Sequence, residues 1–134
     1  MQAISTDKAP PAGGHYSQAI VSNGFVFVAG QLPIKPGGDR EIPEGIEAQT
    51  LQALENLKAI LDAAGSGIDK LVSVNVFVTD VEHWPAVNTV YGEFLGDHKP
   101  ARAISISPQL HFGALVEIQA TAEAEGRRAA TFGT

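Results

Sequence analysis

Cysteine is absent from this chain of 134 residues. Its absence removes disulfides, thiolate nucleophiles and thiolate metal sites together, and makes folding independent of compartment redox. Positive charge is scarce: nine Lys and Arg stand against fifteen Asp and Glu, a formal net charge of −6. The long-range field therefore repels phosphate backbones, and nucleic acid is not an expected partner. Long apolar runs are also missing, so no segment reads as a membrane span and no membrane partner is expected. The opening stretch MQAISTDKAPPAGG has no basic segment followed by an apolar one, so it does not read as a signal peptide. The expected location is the cytoplasm.

Several chemical signatures are lacking as well. There is no GxxxxGK[ST], no GxGxxG after a strand, no HExxH and no GxSxG elbow. His15, His83, His98 and His111 are scattered without ligand spacing, which gives no metal centre to expect. The glycine pairs in PAGGHYSQ and KPGGDRE suit turns better than anion cradles.

What is present is an ordinary globular composition, 44% apolar and 18% charged, at a length that suits one domain over residues 1–134. In YSQAIVSNGFVFVAGQLPI, Asn23-Gly24 between two apolar runs predicts a two-residue hairpin turn. KPGGDREIPEG follows as a loop. From Gly45 to Ala64, Leu54, Leu57, Leu61 and Ala64 recur at helical spacing, and Gly65 is the expected stop. LVSVNVFVT then alternates, with Val72, Val74, Val76 and Val78 expected on one face and Leu71, Ser73, Asn75, Phe77 and Thr79 on the other. A second helix is expected with Asp80 as N-cap, Pro85 in its first turn, Trp84, Val87, Tyr91 and Phe94 on its core face, and Gly96 at its end. ARAISIS and ALVEIQATAEA read as two more strands, and the tail GRRAATFGT as a frayed end.

The order strand, strand, helix, strand, helix, strand, strand predicts an α+β fold with both helices on one face of the sheet. The other face is expected to carry Ser73, Asn75, Glu117, Gln119 and Thr121 among Leu71, Phe77 and Leu115. That mixture is too apolar for a simple wetted surface, and contact with further copies of the chain would cover it. Against this background, Arg102 in HKPARAISIS stands out as a lone guanidinium in a small, aliphatic run. It cannot be neutralised and needs an anion, either an internal carboxylate such as Glu117 or the carboxylate of a ligand.

The motifs GHYSQA at 14–19, AGQLP at 29–33, QTLQALENLKAILDAAG at 49–65, VFVTDVEHWPAVNTVYGEF at 76–94, KPAR at 99–102 and GALVEIQATA at 113–122 resemble those of the RidA/YjgF family of enamine and imine deaminases, in the same order and spacing. The resemblance implies a chorismate-mutase-like fold with a mixed sheet, assembled as a barrel-like trimer with ligand sites between subunits. It also implies hydrolysis of reactive enamines or imines, such as 2-aminoacrylate, 2-iminobutanoate or 2-iminopropanoate, to 2-keto acids and ammonia, with no metal or organic cofactor. In that frame Arg102 holds the substrate carboxylate, Glu117 orients water or shuttles a proton, and Tyr16 walls the site. Gly30, Gln31 and Asn88 line the cleft.

Simpler roles stand beside these. Tyr16 could cap the sheet edge, Glu117 could serve as the structural partner of Arg102, and Asn88 could be a helix-surface residue; Trp84, Tyr91 and Phe94 read as core. Four departures from the family pattern bear on the side chain of the substrate: His15 for proline, Ala103-Ile104 for the small pair after PAR, His111-Phe112 in the following turn, and Gln119 for the second Glu of VEIE. Deamination of a related metabolite such as 2-aminomuconate, and carboxylate binding by a regulator without chemistry, are the competing readings. RNA cleavage, also linked to the family, is disfavoured by the charge.

Overall fold

The computed structural model describes residues 1–124, so the tail expected to fray lies outside the described residues. Six strands, β1 (Gln2–Ile4), β2 (Ala19–Ser22), β3 (Phe25–Gln31), β4 (Leu71–Val78), β5 (Ala101–Ile106) and β6 (Val116–Glu123), form one sheet in the order β1-β2-β3-β6-β4-β5. All neighbours are antiparallel except β4 and β5, so the sheet is mixed. Two helices, α1 (Ile46–Ala63) and α2 (Trp84–Leu95), cover one of its faces. β1 was not expected from sequence. Its three residues pair with β2 at the sheet's edge, a length too short for a periodic signal.

Local chemistry accounts for the joints. Asn23 and Gly24 have φ of 52° and 85°, the two left-handed residues that a tight turn between β2 and β3 requires. At the end of α1, Gly65 N–H donates to Asp62 O and Ser66 N–H to Leu61 O, at 3.2 and 2.9 Å, and Gly65 supplies the positive φ of this closing motif. Asp80 caps a short 3-10 turn (Val81–His83) that leads into α2, its Oδ1 accepting from Glu82 N at 2.8 Å, instead of capping α2 directly.

The core lies between the helices and the face built from Val26, Val28, Val74, Val76, Val78 and Ile118. Leu54, Leu57, Ile60 and Leu61 of α1 are fully buried against it, as is Val87 of α2. The alternation expected for β4 fails at its start. Leu71 is 3% exposed and Val72 42%, the reverse of the expected faces. The pairing with β6 slips between Leu71 and Ser73, and one extra residue in a strand transfers every preceding side chain to the opposite face.

The outer face carries the expected mixture. Asn75 Nδ2 donates to Gln119 Oε1 at 2.7 Å, and Phe25 and Phe27 lie exposed side by side. Edge strand β5 is exposed along its whole length. Among the described residues no helix is long and apolar enough to cross a membrane.

Candidate functional site

Arg102 sits near the start of β5, opposite Val74 in the parallel ladder, and so projects on the helical side of the sheet. Three residues of α2 at helical spacing receive it. Its guanidinium lies 4.6 Å from the ring centre of Trp84 and 4.9 Å from that of Tyr91, and Nη1 donates to Asn88 Oδ1 at 3.1 Å. Trp84 and Tyr91, expected simply as core, are thus also the bed on which the cation rests. The Tyr91 hydroxyl is buried without a partner among the described residues, and burial raises its pKa while the nearby Arg102 charge opposes that rise. The described ion pairs, Lys35 with Glu41 and Lys58 with Asp62, do not include Arg102.

Glu117 lies elsewhere. It pairs across the sheet with Phe77, on the outer face, whereas Arg102 shares the side of Val74. Adjacent strand positions point to opposite faces, so the two side chains are separated by the sheet itself. The reading of Glu117 as the structural partner of Arg102 within the chain is therefore overturned. Sequence gave no sign of this, because the relative parity of two strands depends on their register.

Around Glu117 the chain does gather a pocket of about 450 Å³, bordered by Gly14, Tyr16, Gly30, His111 and Phe112. The β3–β6 register slips between Val28 and Gln31, and at this irregularity Gly30 passes under the Glu117 carboxyl. Burial raises the pKa of Glu117 above the usual carboxylate value, and the charge of His111 pulls in the opposite direction. A carboxyl so placed can hold and release a proton closer to neutrality than a solvated one. Tyr16 stands half exposed at the rim; its hydroxyl accepts from Gly13 N–H at 3.2 Å. The side chain of Gln31 is buried, with Nε2 donating to Ala29 O at 3.1 Å. Tyr16, Gly30 and Glu117 come together, and Gln31 follows directly on Gly30. Arg102 and Asn88 form a separate group.

Three buried amides that sequence reasoning missed fix the segments of this pocket. Gln18 holds the approach to the Tyr16 loop, its Oε1 accepting from Thr6 N–H at 2.7 Å and its Nε2 donating to Pro10 O at 2.8 Å. Asn56 donates to Leu32 O and Ile34 O just after Gly30, at 3.1 and 2.8 Å. Gln49 accepts from Leu115 N–H at 2.8 Å, two residues before Glu117. Asn56 and Gln49 lie on the core side of α1, where a polar residue among leucines is the one available sequence signal.

The sequence profile of the family described as endoribonuclease L-PSP matches residues 6–124. The chain belongs to this family, the YjgF/RidA/RutC family. A RutC family protein of Pyrococcus horikoshii is 41% identical over 124 residues, 92% of this chain and 98% of its own. The crystal structure of RidA from the Antarctic bacterium Psychrobacter sp. superposes with a TM-score of 0.88 at 40% identity, covering 92% of this chain and 99% of that one. E. coli TdcF with bound serine also gives a TM-score of 0.88, at 34% identity, covering 93% and 100%. The mixed sheet with two helices on one face is thus the YjgF fold. Against the family pattern, His111 acts on the charge of Glu117, Phe112 takes a positive φ of 62° at the pocket rim, and Ile104 lies half exposed beyond Arg102 on β5. His15 is exposed beside Tyr16.

Proposed function

We propose that this chain is a cofactor-independent 2-imino acid deaminase of the cytoplasm, hydrolysing 2-aminoacrylate, 2-iminopropanoate and 2-iminobutanoate, and that it works as a homotrimer. The observation that carries this reading is the separation of Arg102 from Glu117 by the sheet, together with a guanidinium that no described carboxylate pairs. A second copy packed against the uncovered outer face and the β5 edge would bring one copy's Arg102 to another copy's Glu117 pocket. The same packing would cover Phe25 and Phe27. TdcF, which holds serine in its crystal structure, supports an amino-acid-sized ligand for this fold.

In the reaction the Arg102 fork takes the substrate carboxylate while the Trp84 and Tyr91 rings and Asn88 hold the fork still. The enamine 2-aminoacrylate first gains a proton at Cβ and loses one from nitrogen, becoming 2-iminopropanoate. Water then adds to the imine carbon, and the C=N bond becomes a C–N single bond as a proton reaches nitrogen. The carbinolamine then collapses: its hydroxyl proton is transferred to the amino nitrogen, C=O forms and the C–N bond breaks, so that the nitrogen leaves as ammonia. Glu117, with its raised pKa, accepts the proton from water and returns it to nitrogen. No electrons are exchanged.

The test generates imines in situ with an amino acid oxidase and follows their decay. Arg102→Ala should abolish the acceleration and Arg102→Lys should impair it, since lysine keeps the charge but loses the fork. Mixed rings then test the shared site. Arg102→Ala and Glu117→Gln are each expected to be inactive alone. Refolded together in equal amounts, they should recover about one quarter of wild-type activity, because each site draws one group from each of two copies. No recovery in folded rings would place both groups in one subunit's site and overturn the shared arrangement. Tight binding of 2-keto acids without turnover would favour the regulator instead.

A further inference from the structure

Beside the Glu117 pocket lies a second cavity of about 200 Å³, sharing Gly13, Tyr16, Gly30, Leu32 and Phe112 with it. Among the residues lining it, Lys35 and Arg40 alone are charged. Lys35 is matched by Glu41, whose Oε2 accepts from Nζ at 3.0 Å. Arg40 has no salt bridge among the described residues, although Asp39 and Glu41 flank it in sequence. Its guanidinium lies instead 4.5 Å from the centre of the Phe112 ring, which borders both cavities.

The backbone at this contact is unusual on both sides. Arg40 and Phe112 have φ of 55° and 62°, two of the three described non-glycine residues in the left-handed region. For such residues that conformation costs on the order of 1 kcal/mol or more each and persists where the surroundings fix it, commonly at ligand sites. Here the two strained residues meet at one cation–ring contact. An arginine held by stacking rather than by a carboxylate keeps its hydrogen-bonding fork free for an anion.

We propose that Arg40 over Phe112 is a subsite for a second anionic group, so that the preferred substrates are 2-imino acids whose side chain ends in a carboxylate. The inference rests on the deaminase reading and deepens it. One copy's Arg102 takes the carboxylate next to the imine, Glu117 serves the imine carbon, and Arg40 takes the distal carboxylate across the Phe112 ring. A dianion approaching a chain of net charge −6 is repelled at long range. The Arg40 charge, which no described carboxylate pairs, offsets that repulsion locally at the pocket. The chemistry is the same hydrolysis, with a 2-oxo dicarboxylic acid and ammonia as products.

The test compares 2-iminoglutarate, generated by a glutamate oxidase, with 2-iminopropanoate, generated by oxidation of alanine, using the full chain and its Arg40→Asn variant. Asparagine tolerates the left-handed backbone at this position. Wild type should favour 2-iminoglutarate in kcat/KM, and Arg40→Asn should lower that preference by about tenfold, the loss of one charge-assisted contact at a partly open site. Absence of the preference, or a preference that survives Arg40→Asn, overturns the subsite. If neither imine decays faster with folded protein, the deaminase reading fails by itself, and calorimetry with 2-oxoglutarate and 2-oxobutanoate then decides the subsite. Tighter 2-oxoglutarate binding that Arg40→Asn removes supports it, and equal binding overturns it.

Discussion

Glu117 lies directly over the backbone of Gly30: a β-carbon built on Gly30 would stand 2.5 Å from Glu117 Oε2 and 3.1 Å from its Cδ. Gly30 is not among the residues of positive φ, so glycine is required here by close approach and not by backbone conformation. Gly30→Ala should therefore move the Glu117 carboxyl out of the pocket. We expect a loss of deaminase activity of at least about tenfold and a destabilisation of no more than about 1 kcal/mol, the low end of overpacking costs, because the displaced carboxyl is the far end of a flexible side chain. A double-mutant cycle isolates the contact. If Gly30→Ala costs as much stability in a Glu117→Ala background as in wild type, the contact is not its cause.

The raised pKa of Glu117 sets a sign for pH dependence. Burial makes the folded state bind this proton more tightly than the unfolded state does. Its contribution is therefore most favourable below the unfolded carboxylate pKa and is lost as pH rises through the folded pKa. Glu117→Gln removes the penalty of a buried charge. In the separated subunit, where no second copy's Arg102 faces the carboxyl, the variant should thus unfold at higher urea than wild type at about pH 8, with the gap closing by about pH 4. A gap that widens toward acid would mean that the carboxylate is stabilised, not penalised, by its surroundings.

Asn56 tests whether the buried amides position the pocket. It is 1% exposed and donates to two carbonyls of the chain that leaves β3. Asn56→Ala leaves both without their donor and opens space in α1, at an expected cost of about 2–3 kcal/mol. Because the freed segment adjoins Gly30, amide exchange should quicken at residues 30–34 well before the core strands are affected. Uniform quickening across the sheet would show a general loss of stability with no local tether.

How far the sequence carries these conclusions can be seen in single residues. Asn23-Gly24 and Gly65 have their expected conformations because a positive φ is demanded locally and few residues supply it. Val74, Val76 and Val78 face the core as alternation requires, whereas Val72 does not, since a bulge depends on the partner strand and leaves no trace in its own pattern. Arg102 was visible as a cation needing an anion. That it lies across the sheet from Glu117 was not, because parity between β5 and β6 passes through the register of β4. Arg40 was missed altogether: a charged residue in a Gly-rich loop gives no periodic signal, and its meeting with Phe112 joins positions 40 and 112.

The family's description as an endoribonuclease raises a question that charge can answer. Single-stranded RNA is held by a positively charged groove that follows the backbone and by aromatic faces that stack successive bases. This chain carries a net charge of −6. The half-exposed Tyr16, an aromatic face on which a base could stack, shares its pocket with the Glu117 carboxyl. An RNA strand entering there would bring phosphates toward the Glu117 carboxyl. We therefore expect no shift of a single-stranded RNA probe in gels at low salt, where counterion release makes phosphate binding strongest. A shift that weakens steeply with added salt would require a basic surface formed by assembly and would reopen the nuclease reading. A shift insensitive to salt but competed by 2-keto acids would instead locate the RNA contact at the Glu117 pocket itself.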